Sequence, residues 1–299
     1  MFIKALISTL AAAGLFAIAA SSSIAAAAEP ASKPNVILIM ADDLGYNDLS
    51  CYGSTKIKTP VLDQLAAGGV RLTSFYAGAT VCTPSRMALL TGCYPTRLGW
   101  NGGVLGYRMK TTTGLAPEAL TIAEVFKQAG YRTALSGKWH LGGSPELHPL
   151  KQGFDTAYHI KMSNNQTKKL WRDEELIADP LDNRRLTENF TREAIEFIEV
   201  SRDEPFFLYL PFTAPHFPAQ AHPNWEGRST HGAYGDVVEE LDARIGEIVA
   251  ALKRAELEEK SIIVFLSDNG PEPGHRCGTG AVRSGERSGR ADKPQCRAS

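Results

Sequence analysis

Asn35-Val-Ile-Leu-Ile-Met40, followed by Ala41-Asp42-Asp43, is the stretch that decides the fold class of this 299-residue chain. A short, continuous apolar run of this kind is typical of a strand that is buried on both faces of a parallel sheet. Similar runs lie at Phe206–Leu210 and Ser261–Leu266, and segments with helical periodicity separate the runs. This alternation predicts an α/β fold in which helices flank a largely parallel, mixed sheet.

The segments between these runs supply the other elements of the predicted domain. Helical spacing of apolar residues predicts helices over Thr59–Ala67, Thr83–Thr91, Thr121–Gly130, Leu186–Val200 and Val237–Leu252. Thr59 is expected to cap the first of these helices. Val70–Tyr76 and Tyr131–Ser136 are predicted as further strands, and the polar segment Asn164–Asn183 as a loop. The last strand, Ser261–Leu266, is predicted to be buried on both faces.

The composition excludes several classes of protein. The chain has 32 Lys and Arg against 33 Asp and Glu, and its 43% hydrophobic and 22% charged residues are ordinary values for a globular protein. A net charge near zero provides no basic surface for phosphate groups, so no nucleic-acid partner is expected. Five cysteines are too few for a disulfide scaffold at this length, and their odd number leaves at least one thiol unpaired.

The N-terminal residues 1–28 have the features of a cleavable secretory signal. One positive charge, Lys4, precedes the apolar run Ala5–Ala20, and small residues lead to Ala28. The run is too short and too rich in alanine for a good membrane span. We therefore expect cleavage after Ala28, no stable membrane anchor, and a periplasmic or secreted mature protein.

The C-terminal residues 275–299 differ sharply in composition from the rest of the chain. Beyond His275 there is no aromatic residue, no Leu or Ile, and one Val. Such a tail buries almost nothing and is predicted to be disordered. An α/β domain usually continues beyond a strand at this point. The break in composition favours a truncated gene or a shifted reading frame over an ordinary flexible tail.

Oxygen-bearing side chains follow the first and last apolar runs. Asp42 and Asp43 come directly after one run, and Asp268 and Asn269 come after the other. Ligands collect at the carboxyl ends of the strands in open α/β sheets. Carboxylate and amide oxygens are the ligands that hard divalent cations such as Ca²⁺ and Mg²⁺ prefer. The sequence therefore predicts a divalent-cation site at this edge.

Three residues that are cationic or become so on protonation follow other predicted strands. Lys138 and His140 come after Tyr131–Ser136, and His216 comes after Phe206–Leu210. Taken singly, each of these residues is ordinary, since a lone histidine is usually structural. Their shared placement at strand ends predicts that they surround an anion held next to the cation.

The most specific motif in the chain is Cys82-Thr-Pro-Ser-Arg86, which continues as Met-Ala-Leu-Leu-Thr-Gly92. It resembles the signature of the type I sulfatases, which have an alkaline-phosphatase-like fold. In this family the cysteine is oxidised to Cα-formylglycine by a maturation enzyme, and the hydrate of that aldehyde is the nucleophile. The resemblance spans residues 34–274 and includes three further motifs in the family's order: Pro34–Tyr46, Gly137–Gly142 and Ser267–Gly270.

The resemblance implies that the chain hydrolyses sulfate esters, as an arylsulfatase does, with a bound Ca²⁺. The positions that match the family's metal ligands are Asp42, Asp43, Cys82, Asp268 and Asn269. By the same resemblance, Arg86 steadies the formylglycine hydrate. Lys138, His140 and His216 bind the sulfate oxygens, and a histidine protonates the departing alcohol. The implied partners are a sulfate-ester substrate and a formylglycine-generating maturation enzyme.

The chain departs from the family pattern at its C-terminal end. Members of the family have a second sulfate-binding lysine after the Asp-Asn-Gly strand, and then a smaller C-terminal subdomain. Here the only lysine after Asp268 is Lys293, which lies in the anomalous tail and is given no role. We therefore expect a signal at 1–28, the N-terminal portion of a catalytic domain at 29–274, and a missing C-terminal subdomain.

Two alternative functions remain open at this point. A phosphomonoester or phosphonate hydrolase of the same superfold often has Thr or Ser where this chain has Cys82, so the intact motif favours the sulfatase. The other alternative is an inactive, truncated sulfatase remnant, which the departure at the C-terminal end supports.

Overall fold

Seven strands form one sheet in the structure, a computed structural model that describes residues 33–106 and 112–271. The strands are β1 (Asn35–Ala41), β2 (Arg132–Lys138), β3 (Thr156–Ile160), β4 (Leu170–Arg172), β5 (Glu175–Ala178), β6 (Phe206–Pro211) and β7 (Ser261–Ser267). Their order across the sheet is β5-β4-β3-β2-β6-β1-β7. The five strands from β3 to β7 in this order are parallel, and β4 and β5 are antiparallel. The predicted mixed, largely parallel sheet is confirmed.

Five α-helices flank the sheet. They are α1 (Pro60–Gly68), α2 (Cys82–Thr91), α3 (Ile122–Gln128), α4 (Leu186–Val200) and α5 (Gly232–Arg254). Every helix predicted from the periodicity is present. Thr59 makes no side-chain cap to α1. The carboxylate of Asp242 on α5 accepts the backbone N–H groups of Val61 and Leu62 at 3.1 and 2.8 Å instead, so one helix caps another.

The apolar residues of the central strands divide between two cores because successive side chains point to opposite faces of a strand. In β6, Phe206 and Leu208 are buried with α1, α4 and α5. Phe207 and Tyr209 are buried on the other face with α2 and α3. The continuous apolar runs of β1 and β6 thus reflect burial on both faces, as the sequence predicts.

Three further expectations for local structure are wrong. Val70–Tyr76 forms no strand, and Val70 and Tyr76 are 85% and 84% exposed because no neighbouring strand pairs with this segment among the described residues. The segment Asn164–Asn183 contains the hairpin of β4 and β5 and is not simply a loop. β7 pairs only with β1 in the described structure, so it is an edge strand with Ile262 and Val264 half-exposed.

Some expectations concern residues that the structure does not describe. The proposed signal at 1–28 and the tail from 275 to 299 lie outside the described ranges. Within those ranges, no helix is both long enough and apolar enough to cross a membrane. Cys51, Cys82 and Cys93 are free thiols in the described part of the chain.

The exposed apolar side chains of β7 in the described part of the chain predict self-association through this edge. Unpaired N–H and C=O groups on a flat apolar edge form a template for another strand. We expect Val264→Lys to raise the monomer fraction in analytical ultracentrifugation, because a lysine on an edge opposes strand pairing. Val200→Lys is the matched control, since Val200 is an exposed valine at the end of α4. Equal effects of the two substitutions would contradict a role for the edge.

A buried histidine predicts that the protein loses stability in acid. His159 on β3 is fully buried against the ring of His148, and burial lowers its pKa to about 3. Between pH 6.5 and 3 the unfolded chain therefore binds a proton that the folded chain does not. The free energy of unfolding should fall by about 1.4 kcal/mol per pH unit as the pH is lowered through this window. Urea titrations of His159→Gln should show a weaker dependence on pH, whereas an unchanged slope would exclude this cause.

Candidate active site

The carboxyl ends of β1, β6 and β7 meet at one edge of the sheet, and backbone hydrogen bonds extend their pairing beyond the strands. The N–H of Asp42 donates to Ala214 O at 2.9 Å, and the N–H of Asp268 donates to Ala41 O at 3.0 Å. β2 joins the same edge through β6, with Gly137 packed so closely that a Cβ there would overlap the carbonyl oxygen of Pro211. The parallel topology therefore brings the predicted strand-end residues together.

Arg86 lies one turn into α2, and its guanidinium is fully buried between two carboxylates. Its Nη2 atom lies 2.8 Å from Asp268 Oδ2 and 3.2 Å from Asp42 Oδ1. Its Nε atom also donates to Asp268 Oδ2, at 3.1 Å, and its Nη1 atom donates to the backbone oxygen of Lys138, at 3.1 Å. Bonds along several edges fix the plane of the guanidinium. The first residue of α2, Cys82, is consequently held at this edge of the sheet.

Lys138 is the last residue of β2 and is also fully buried. Its ammonium group donates to Asp42 Oδ2 at 2.7 Å and to the hydroxyl oxygen of Ser163 at 3.0 Å. Asp42 thus faces Lys138 with one carboxylate oxygen and Arg86 with the other. A buried charge is tolerated only when it is paired in this way.

Ligand atoms expected to face a cation converge at this point. One ligand atom from each of Asp42, Asp43 and Cys82 lies within 4.8 Å of the others. Asn269 donates from Nδ2 to Asp43 Oδ1 at 2.5 Å, which links the ends of β1 and β7. Asp42 Oδ1 and Asn269 Oδ1 are buried oxygens without a hydrogen-bond donor in the described structure. Because such oxygens are costly unless paired, this donor set fits a hard divalent cation.

The three neighbouring carboxyl groups have pKa values that shift in different directions. Burial would raise the pKa of Asp42, but the charges of Lys138 and Arg86 outweigh burial and hold it well below the usual range. Burial and the negative charge of Asp42 raise the pKa of Asp268 to about 7. The pKa of Asp43 is raised by the same two causes. Like charges at close range oppose each other's ionisation, so the site favours an additional cation as the pH rises.

His140 is buried and neutral. Burial and the charge of Lys138 lower its pKa well below 6.5. Its Nε2 atom lies 2.9 Å from the carbonyl oxygen of Leu105, so Nε2 carries the proton and donates. Nδ1 is then an unprotonated nitrogen, and it has no hydrogen-bond partner in the described residues. With φ at 58° the backbone of His140 is left-handed, a conformation that costs about 1–3 kcal/mol and is typical of functional sites.

His216 lies beyond the end of β6 and faces the acidic cluster. Its Nδ1–H donates to the carbonyl oxygen of Phe217 at 2.6 Å. Its Nε2 atom lies 3.2 Å from the Ser163 hydroxyl and 3.6 Å from Asp43 Oδ2. Ser163 therefore joins His216 to Lys138, and the two predicted anion-binding residues belong to one hydrogen-bond network.

Cys82 is 4% exposed, and its thiol is held in the protonated form. Burial raises the pKa of this thiol far above its usual value, and the negative charge of Asp42 raises it further. A catalytic cysteine thiolate requires a lowered pKa, so the unmodified Cys82 lacks the activation that cysteine nucleophiles have.

All nine predicted site residues lie at this edge, together with two that the sequence reasoning missed. Ser163 follows β3, a short strand that the sequence pattern does not predict, so nothing in the sequence places Ser163 at a strand end. Tyr209 is fully buried in β6; its hydroxyl lies 3.4 Å from Met40 Sδ and hydrogen-bonds the side chain of Arg86. No sequence signal separates Tyr209 from an ordinary core aromatic residue.

Comparison with known proteins gives one consistent result. The family model for the sulfatase domain matches residues 34–295. An arylsulfatase of Hemicentrotus pulcherrimus is 37% identical over 264 residues, which is 81% of this chain and 48% of the relative. Human arylsulfatase A is 37% identical over 305 residues, which is 88% of this chain and 59% of the relative. The chain thus spans about half the length of these curated relatives.

Solved structures show the same fold. A structure from a study of glycosaminoglycan metabolism by Bacteroides thetaiotaomicron superposes with a TM-score of 0.75 and 31% identity. The match covers 80% of this chain and 63% of that chain.

The unpartnered oxygen of Asn269 predicts that calcium stabilises the protein. Calcium at 100 times its dissociation constant stabilises the folded state by about 2.7 kcal/mol, which corresponds to a rise of roughly 5–10 °C in melting temperature. Asn269→Leu keeps the side-chain volume and removes the amide oxygen, so we expect it to reduce this rise. Asn189→Leu, at a half-buried position on α4 outside the cluster, serves as the control. Identical rises in the wild type and Asn269→Leu would refute the assignment.

Proposed function

This chain belongs to the sulfatase family, and we propose that it hydrolyses sulfate esters at the buried ion cluster around Asp42. The observation that carries the proposal is the pairing of two fully buried cations, Arg86 and Lys138, with the carboxylate of Asp42, next to a buried amide oxygen of Asn269 that has no hydrogen-bond donor in the described structure. Sulfuryl transfer spreads negative charge over oxygen atoms, and preorganised cations in a buried site stabilise such charge.

We propose that Asp42, Asp43, Asp268 and Asn269 hold Ca²⁺, with the modified Cys82 facing it. Bound there, the cation would supply positive charge for the developing oxyanion. Cys82 would be present as formylglycine, whose hydrate offers two hydroxyl groups where a serine offers one. The second hydroxyl is what allows release of the sulfate group from the enzyme.

The chain's own residues would position the sulfate group and move protons. Lys138 would bind a sulfate oxygen, and Arg86 would orient residue 82 from the same helix. When it carries a proton on both ring nitrogens, His216 would donate the one on Nε2 to the departing oxygen, since Nε2 faces the cluster. We propose that His140 accepts, at Nδ1, the proton that the second hydroxyl of the hydrate loses as sulfate leaves, because Nε2 is committed to Leu105 and the ring is neutral. This role differs from the expectation that His140 donates to a sulfate oxygen.

We also propose that the mature protein acts outside the cytoplasm, after export and removal of residues 1–28. A formylglycine-generating maturation enzyme would act on Cys82 as the chain is made. The support for maturation before folding is that the folded structure buries Cys82 and the side chains of Thr83 and Ser85 that surround it. An enzyme could not reach a thiol that is 4% exposed.

Replacement of Cys82 tests the proposed function directly. We expect the full chain, produced in a host that matures sulfatases, to hydrolyse a chromogenic aryl sulfate, and Cys82→Ala to lose at least about 10³-fold in kcat/KM. Cys93→Ala is the matched control, because Cys93 is a free, half-buried cysteine at the end of α2 outside the cluster. Peptide mass spectrometry should show an aldehyde at position 82.

Two outcomes of this assay would contradict the proposal. Faster turnover of an aryl phosphate than of the aryl sulfate would favour the phosphomonoester or phosphonate hydrolase. No turnover of either ester by a chain with the aldehyde at position 82 would identify an inactive remnant.

A further inference from the structure

One backbone carbonyl holds the proton of His140 on Nε2. This nitrogen lies 2.9 Å from the oxygen of Leu105, while Nδ1 has no hydrogen-bond partner in the described residues. A neutral imidazole carries its proton on either nitrogen, and the hydrogen bond that the ring makes decides which one. If the carbonyl of Leu105 moved away, the proton could move to Nδ1. His140 could then no longer accept a proton at that atom.

Leu105 lies outside the helices and strands, so its position depends on the contacts of a loop. Its N–H donates to the hydroxyl oxygen of Thr83 at 3.0 Å. Thr83, Leu105 and His140 are all buried, so water does not compete for the hydrogen bonds between them. The hydroxyl of Thr83 is thus connected to the ring of His140 through the backbone of one intervening residue.

Helix α2 places the hydroxyl of Thr83 at a fixed point. Thr83 is the second residue of this helix. One turn further on, Arg86 donates from Nε and Nη2 to the carboxylate of Asp268 at 3.1 and 2.8 Å. These bonds tie α2 to the strand ends where His140 lies. Loops move more readily than such a helix, so the hydroxyl is the fixed acceptor to which the loop of Leu105 adjusts.

We propose that Thr83 is a positioning residue: by way of Leu105, its hydroxyl keeps the proton of His140 on Nε2 and leaves Nδ1 free to accept. This inference rests on the proposed function, in which Nδ1 takes the proton that the second hydroxyl of the hydrate loses. As that O–H bond breaks, its electron pair forms the C=O bond of the aldehyde. The C–O bond to the sulfate group breaks with its electron pair on the sulfate oxygen. His140 then carries a proton on each nitrogen and releases one to water.

Substitutions at Thr83 separate the hydroxyl from the bulk of the side chain. Thr83→Val replaces the hydroxyl with a methyl group of similar size and leaves the N–H of Leu105 without its acceptor. Because a buried N–H without a partner is costly, we expect the loop to shift and the carbonyl of Leu105 to move away from His140. Thr83→Ser keeps the hydroxyl and should behave as the wild type. The loop should otherwise stay folded, since Trp100 Nε1 donates to the oxygen of Gly103 at 3.1 Å independently of Thr83.

Nuclear magnetic resonance of the full chain with unmodified Cys82 identifies the tautomer of His140 without any activity. The seven histidines are labelled with ¹⁵N, and couplings to the ring C–H protons show which nitrogen carries a proton. The signals that are absent from His140→Gln belong to His140. At neutral pH we expect a proton on Nε2 in the wild type and in Thr83→Ser. We expect Thr83→Val to populate the form with the proton on Nδ1.

Rapid kinetics of the matured protein test the consequence for the reaction. With a chromogenic aryl sulfate, the phenol leaves before the sulfate, so slow proton transfer to His140 delays only the second release. We expect Thr83→Val to release a stoichiometric burst of phenol and to lose at least about tenfold in kcat. Its kcat/KM should be unchanged, because the first step is untouched. Thr83→Ser should show no burst. Since Thr83 follows Cys82, each rate is normalised to the aldehyde content, measured by peptide mass spectrometry.

Thr91→Val is the matched control. Thr91 is a half-buried threonine at the other end of the same helix, and its hydroxyl donates to the backbone oxygen of Met87 at 2.7 Å. The substitution should change neither the tautomer of His140 nor the kinetics. If Thr83→Val fails to fold, as near-ultraviolet circular dichroism would show, Thr83→Ala removes the hydroxyl without adding a methyl group in its place and is used in both measurements.

Several results would overturn the inference. A proton on Nδ1 of His140 in the wild type would do so, as would an unchanged tautomer in a folded variant without the Thr83 hydroxyl. A lower kcat/KM without a burst, or the same loss in Thr83→Ser, would reduce Thr83 to a structural role and overturn it as well. Failure of the proposed function is recognised separately. A matured chain that hydrolyses no ester contradicts that function, while the magnetic resonance comparison still decides whether Thr83 fixes the proton of His140.

Discussion

A fully buried carboxylate, Asp42, imposes the constraint on which the site depends. Removing one partner from a buried ion pair costs about 3–5 kcal/mol, because the other charge stays buried without compensation. Asp42 has two partners, Lys138 at the end of β2 and Arg86 on α2. The order of the strands, with β6 between β1 and β2, sets where Lys138 can lie. The sheet therefore determines the charge arrangement, and the charge arrangement fixes the position of α2 and of Cys82 at its start.

Much of this arrangement follows from the sequence because parallel strands place their carboxyl ends at one edge. The apolar runs of β1, β6 and β7 are recognisable as strands, so the residues that follow them, such as Asp42 and Asp268, are predicted to meet. The position of Ser163 at a strand end is not predicted, because β3 is short and contains Thr156 and His159, which interrupt any continuous apolar run. The exposure of Val70–Tyr76 is not predicted either, since a strand-like pattern does not show whether a neighbouring strand is available for pairing.

The proton positions of the two histidines depend on tertiary contacts that no sequence pattern specifies. His140 and His216 are alike as residue types, yet a carbonyl oxygen binds Nε2 in one and Nδ1 in the other. The ring nitrogen left facing the cluster therefore differs. In a neutral ring each of these facing nitrogens is unprotonated, so the proposed donor His216 must carry a second proton, whereas burial keeps the proposed acceptor His140 neutral.

The edge strand β7 ties the integrity of the site to the stability of one strand pairing. β7 pairs only with β1 in the described structure, yet it supplies Asp268 and Asn269. Edge strands open more readily than central ones because one side of their hydrogen-bond ladder is unpaired. The contacts of Arg86 with Asp268 and of Asn269 with Asp43 hold the end of β7 against the sheet. Opening of β7 would separate these pairs at once, so the docking of this strand and the assembly of the ion cluster are a single event.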